Sequence, residues 1–113
     1  MSKLSIQKCE ACHSEASHIS DEDLEKNLLQ LPDWTQKSRD GILTLERTYK
    51  FKNYLEAVSF TNKVANLAEE EGHHPEILLE WGKVKVIWWT HAINGLHQND
   101  FICAAKSDAL NKE

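Results

Sequence analysis

The chain lacks most of the features by which function classes can be recognised. It holds two prolines and four glycines, too few for a collagen-like or low-complexity segment, and no internal repeat is visible. No apolar run approaches the roughly 18 residues needed to cross a bilayer, so no membrane partner is expected. The opening Met-Ser-Lys-Leu-Ser-Ile-Gln-Lys-Cys-Glu has no apolar signal core, and the expected location is cytoplasmic. A net charge of -5 argues against nucleic acid as a partner, because binding phosphates needs a basic surface. No serine or cysteine stands in a nucleophile motif, and no glycine loop is shaped to hold a phosphate. Three cysteines without an export signal read as thiols, not as a disulfide framework.

What is present is ordinary for a soluble domain: 113 residues, 41% of them hydrophobic and 27% charged, enough for one core but not two. Residues 1–19 show no periodicity and are expected to form a flexible N-terminal arm, leaving 20–113 as a single domain. Within the arm, Cys9-Glu10-Ala11-Cys12-His13 spells the pattern of covalent haem attachment. That chemistry requires export and a distal axial ligand. A zinc site from Cys9, Cys12 and His13 or His18 lacks the second cysteine pair that would complete four ligands. A thiol-bearing tail is the simpler reading.

Ser20 followed by Asp21-Glu22-Asp23 predicts a helix start, with a capping hydroxyl and acids where the helix dipole favours them. Leu24, Leu28 and Leu31 give that helix one apolar stripe, and Pro32-Asp33 ends it. A short strand is expected over Trp34–Lys37, then a turn at Arg39-Asp40-Gly41. From Ile42 to Phe51 the residues alternate: Leu43, Leu45, Tyr49 and Phe51 on one parity, Thr44, Glu46, Thr48 and Lys50 on the other. This marks an antiparallel strand buried on one side, with Arg47 the exception on the apolar face.

Asn53 can cap a long helix to Glu71, with Tyr54, Ala57, Val58, Thr61, Ala65 and Ala68 as its expected inward stripe. Ile77–Trp81 and Val84–His91 read as a hairpin around Gly82-Lys83. In its second strand Val84, Val86, Trp88 and Thr90 share one face, and Lys85, Ile87, Trp89 and His91 the other. A last helix follows His97-Gln98-Asn99-Asp100, carrying Phe101, Ile102, Ala105, Ala109 and Leu110. Strands in hairpin pairs between helices predict an α+β two-layer sandwich: a four-stranded antiparallel sheet with three helices on one face, in the order α-β-β-α-β-β-α.

The chemistry concentrates at Glu69-Glu70-Glu71-Gly72-His73-His74-Pro75. Glycine can leave a helix through the left-handed conformation without a Cβ penalty. Pro75 bars a return to helix. Neighbouring side chains diverge on helices and strands alike, so a His-His pair can serve one small molecule only from an irregular corner. Three glutamates at a helix C-terminus oppose the dipole, which hints at another task, although a solvated charge run has the same composition. Glu69 lies one turn before His73 and can share its side. With His91 and Asp100 these residues suit proton transfer, since imidazole titrates near neutrality. From spacing alone, a divalent-metal site or loop histidines with no joint role remain equally compatible.

Glu69-x-x-x-His73-His74-Pro75, then Trp81, Thr90-His91, Gly95-Leu96 and Asp100, resembles the signature of pterin-4a-carbinolamine dehydratases. The similarity runs from Pro32-Asp33-Trp34 through Tyr49-Lys50-Phe51 to the last helix. It implies the sandwich just described, no metal and no cofactor, and dehydration of 4a-hydroxytetrahydropterin to quinonoid dihydropterin. That reaction would recycle the cofactor of aromatic amino acid hydroxylases. By the same resemblance His73 and His91 would donate protons to the departing hydroxyl, and His74 would hold and polarise the pterin. Glu69 and Asp100 would orient the imidazoles and contact the ring, with Pro75 and Thr90 also on the substrate side. A homodimer or homotetramer is implied too. Two positions depart from the pattern: Ile77 where an aromatic residue is frequent, and Asn99 where an arginine often precedes Asp100. Animal relatives also act as dimerisation cofactors of a transcription factor, so a protein-binding module is the competing expectation.

Overall fold

The computed structural model describes Leu4 and residues 19–111. The motif from Cys9 to His13, and His18, lie outside them. Helix α1 (Asp21–Leu29) begins at Ser20, whose Oγ accepts from the Asp23 N–H at 3.2 Å. Strands β1 (Thr35–Arg39) and β2 (Ile42–Lys50) are joined by Asp40 and Gly41, both at positive φ (53° and 83°), as a tight antiparallel hairpin requires. Asn53 caps α2 (Tyr54–Glu71) by accepting from the Glu56 N–H at 2.8 Å. Strands β3 (Glu76–Glu80) and β4 (Lys83–Trp88) form the second hairpin, and α3 (Gln98–Asn111) closes the chain. The sheet order is β1-β2-β4-β3, antiparallel throughout, so the expected α+β sandwich is the fold observed.

The core fills the space between sheet and helices. Leu45 and Tyr49 of β2 and Val84, Val86 and Trp88 of β4 meet Ala57, Phe60, Val64 and Ala68 of α2, with Phe101, Ile102 and Ala104 from α3. Phe60 is the hinge of this packing, lying 4.5 Å from the Tyr49 ring and 5.3 Å from that of Phe51. Leu4 is buried in the same cluster and its N–H donates to Gln30 Oε1. Both edge strands are short, and β1 is polar throughout, which discourages pairing with foreign strands.

Several details differ from the sequence reading, among them the second hairpin, whose strands are Glu76–Glu80 and Lys83–Trp88 in place of Ile77–Trp81 and Val84–His91. The first strand runs over Thr35–Arg39, starting one residue later and ending two residues later than Trp34–Lys37. The inward stripe of α2 is Ala57, Phe60, Val64 and Ala68, while Tyr54 and Ala65 are exposed. The helix carries apolar residues on two sides, and the aromatic contacts of Phe60 select which one turns inward. On β2, Leu43 is 37% exposed, whereas Thr44 and Glu46 on the opposite parity are buried. Polar partners cover them: Thr44 Oγ1 donates to Glu46 Oε2 at 2.9 Å, and Lys85 Nζ lies 3.0 Å from Oε1.

Arg47, out of place by alternation, has a partner that local pattern cannot show. Its Nη1 lies 2.7 Å from Asp108 Oδ1 on α3, with the guanidinium 4.3 Å over the Tyr49 ring. Tyr49 Oη donates to the same carboxylate at 2.5 Å, and Trp34 Nε1 donates at 3.1 Å. Burial, and then the adjacent Asp108 carboxylate, push the Tyr49 hydroxyl far above the usual tyrosine range, so it stays protonated as a donor. Strand β2 and the flank of β1 thus converge on one acid of α3. Asp108→Ala is expected to destabilise the fold by roughly 2–4 kcal/mol, because three donors lose their acceptor together; urea denaturation at pH 7 measures it.

Burial alone would raise the Glu46 carboxyl. The hydrogen bonds from Lys85 and Thr44, with the charges of Lys85 and Arg39, outweigh it and hold the group below the usual range. A depressed folded value means stability that is present above the unfolded pKa, about 4.3, and lost as pH falls through the folded one. Glu46→Gln is therefore expected to cost about 1 kcal/mol at pH 7. The gap to wild type should close under acid, as denaturation curves at pH 7 and pH 3 would record.

Candidate functional site

The corner after α2 is built by its glycine. Gly72 sits at φ 63°, ψ 28°, in the left-handed region, and the His73 N–H reaches back to the Ala68 carbonyl at 3.1 Å. This closes the helix and turns the two imidazoles apart. His73 points inward and is 2% exposed, while His74 stays at the surface. Glu69 consequently pairs with His74, at 2.7 Å, not with His73 as the one-turn spacing suggested. The left-handed residue breaks the helical relation before His73 is reached. The other two glutamates part company: Glu71 lies 3.8 Å from Lys106 of α3, and Glu70 faces solvent. The solvated-run reading fits Glu70 alone.

His73 is fixed from α3. Its Nε2 lies 2.6 Å from Asp100 Oδ1, and its ring stacks on Trp88 at 5.4 Å and 16°. Asp100 Oδ2 accepts from Thr90 Oγ1 at 2.8 Å and from the His97 N–H at 2.9 Å. Both oxygens of a fully buried carboxylate are therefore occupied by donors from three segments. The arginine often found at position 99 is not needed to partner it, and Asn99 is itself buried. Asp100 and Thr90 are themselves buried.

His97 is the residue that sequence reading passed over. Its Nδ1 accepts from the Asn99 N–H at 3.1 Å, while Asp100 accepts from the His97 N–H, so the pair forms a reciprocal helix cap. His97-x-x-Asp100 has the spacing of a capping box with histidine in the serine position, and that spacing was the available signal. Trp88, expected on one strand face with Val84, Val86 and Thr90, proves to be the plate on which His73 stacks. Its Nε1 is buried and meets no acceptor among the described residues.

His91 arrives from the far end of β4. The strand stops at Trp88, Thr90 bridges to Gly95, and His91 opens a short 3-10 turn over His91–Ile93. Instead of alternating along a strand, His91 rests against Trp89 with ring centroids 4.3 Å apart. Together Gly72, His73, His74, His91 and Ala92 line a cleft of about 320 Å³. The three predicted histidines share it, Glu69 reaches it only through His74, and Pro75 is half-buried where the corner enters β3. No group of three metal-ligating side chains occurs among the described residues. A larger depression, about 510 Å³, opens elsewhere, lined by Lys50, Lys52 and Lys63 and by no histidine.

Such a cleft holds up to three imidazoles against a small flat ligand and can move protons to or from it. The chain is similar to the structure of a transcriptional coactivator/pterin dehydratase from Brucella melitensis, at 30% identity, TM-score 0.74, over 83% of this chain and 98% of that one. It is also similar, at 25% identity and TM-score 0.59, over 69% of this chain and 88% of the other, to a pterin dehydratase-like protein identified as a RuBisCO assembly factor in the alpha-carboxysome. The family model for pterin 4 alpha carbinolamine dehydratase matches residues 17–110, and this chain belongs to that family.

Proposed function

We propose that the protein dehydrates a 4a-hydroxytetrahydropterin to the quinonoid dihydropterin, acting as a hydro-lyase. The observation that carries this reading is the convergence of His73, His74 and His91, from two distant stretches of chain, on one cleft of about 320 Å³. That volume lies at the small end of ligand pockets and suits a bicyclic ring.

In the reaction the C4a–O bond breaks, the hydroxyl takes a proton and leaves as water, and a ring nitrogen gives up a proton. Nothing is oxidised or reduced. Expelling hydroxide unaided is unfavourable, so an acid that protonates it in the transition state can accelerate the step by about 10²–10⁴-fold. His73 and His91 are assigned as the proton donors, and His74, steadied by Glu69, as the group that holds and polarises the pterin. Asp100 fixes which ring nitrogen of His73 faces the protein interior, and Thr90 fixes Asp100. A product of this kind would return to the pterin pool used by aromatic amino acid hydroxylases.

The competing reading is a protein-binding module. Tyr54 and Leu55 stand exposed on α2, and the two structural relatives are described as a coactivator/dehydratase and an assembly factor. One assay separates the two. Chemically generated 4a-hydroxytetrahydropterin should disappear faster in the presence of wild type, followed by ultraviolet absorbance. His73→Ala and His91→Ala should each slow it by about 10²-fold, with far-ultraviolet circular dichroism confirming the fold. Wild-type rates in the double variant would falsify the acid roles. Chelation with EDTA should leave the rate unchanged, whereas a metal-assisted site would lose it.

A further inference from the structure

Each imidazole of the cleft has its own anchor. His73 is held by Asp100 and Trp88, and His74 by Glu69. His91 is exposed and shows no hydrogen bond from its ring to the described residues, so its ring contact with Trp89 is what orients it. That places unusual weight on Trp89, which is only half-buried beyond the end of β4.

Trp89 has a second neighbour. The guanidinium of Arg39, the last residue of β1, lies 5.7 Å over its ring. Arg39 reaches there across the open face of the sheet, from one edge strand to the other. Its Nη1 lies 2.6 Å from Glu76 Oε2 at the start of β3, and its Nη2 lies 3.8 Å from Glu46 Oε2 on β2. A planar guanidinium suits this task, because it can stack on an indole while its edge binds carboxylates. Lysine offers neither the plane nor the fork.

We infer that Arg39 is a positioning residue for the cleft, acting through Trp89 to set where the His91 imidazole stands. This rests on the dehydratase reading above, in which His91 donates a proton. Arg39 touches no part of the cleft wall. Its effect should therefore fall on turnover and not on binding, since a displaced acid spoils the transition state while the ground-state contacts of the ligand persist.

The test uses the full chain with Arg39→Met, Trp89→Leu, Trp89→Phe and the Arg39→Met, Trp89→Leu double variant. Arg39→Met should lower kcat about 5- to 10-fold with KM within about twofold. Trp89→Phe, which keeps an aromatic plate, should stay within about threefold of wild type. The double variant should be no slower than Trp89→Leu alone, because both changes remove one platform. In carbon-edited proton NMR, the His91 ring resonances should carry a ring-current shift that Trp89→Leu abolishes and Arg39→Met reduces. An unchanged kcat in Arg39→Met, multiplicative losses in the double variant, or His91 resonances that ignore Arg39 would each overturn the inference. If wild type fails to consume the carbinolamine, the dehydratase reading falls, and the NMR measurement still decides whether Arg39 sets His91 through Trp89.

Discussion

The buried carboxylate of Asp100 is the joint on which the site is assembled. It is fully buried, and each of its oxygens is taken by donors belonging to different parts of the chain. An acid in that position is unfavourable without partners, since removing a carboxylate from water costs several kcal/mol. The partners are the corner after α2, the end of β4 and the first turn of α3, and the site requires those three places to meet. The group that completes the helix cap is also the group that orients His73. Folding and site geometry are in this respect one problem.

Much of this was legible from local chemistry. Ser20, Asn53 and Gly72 mark helix ends by interactions within a few residues, and each is found at the predicted end. Alternation gave the strands and their pairing into hairpins. What escaped depends on distance along the chain. Nothing near Arg47 announces Asp108, sixty-one residues away, and nothing near Trp34 announces the same acid, seventy-four residues on. The buried stripe of α2 was misjudged because two apolar faces are present, and only contact with Tyr49 and Phe51 decides between them. The partner of Glu69 was misjudged for a geometric reason: a single left-handed residue redirects the chain, so helical spacing stops being a guide at the point where the chemistry begins.

The uncovered face of the sheet is organised by charge. Arg39, Glu46, Glu76 and Lys85 alternate in sign across it, over an Ile87 side chain that is itself fully buried. Ionic groups exposed to water each contribute little. Their collective effect here is spatial, because they fix long side chains over the sheet where no helix does so. A face that looks like mere surface thereby reaches, through Trp89, to the rim of the cleft.

Helix α3 is bolted at two heights, by Asp100 in its first turn and by Asp108 nearer its end. Sliding or rotating it by even one residue would unseat both carboxylates at once. The helix thus ties the cleft to the sheet at both its ends, whereas His91 is carried by a short 3-10 turn whose flanks are joined by the Thr90–Gly95 bridge. The imidazoles of one cleft are therefore held by unlike means: His73 by a carboxylate inside the core, His91 by a ring at the surface.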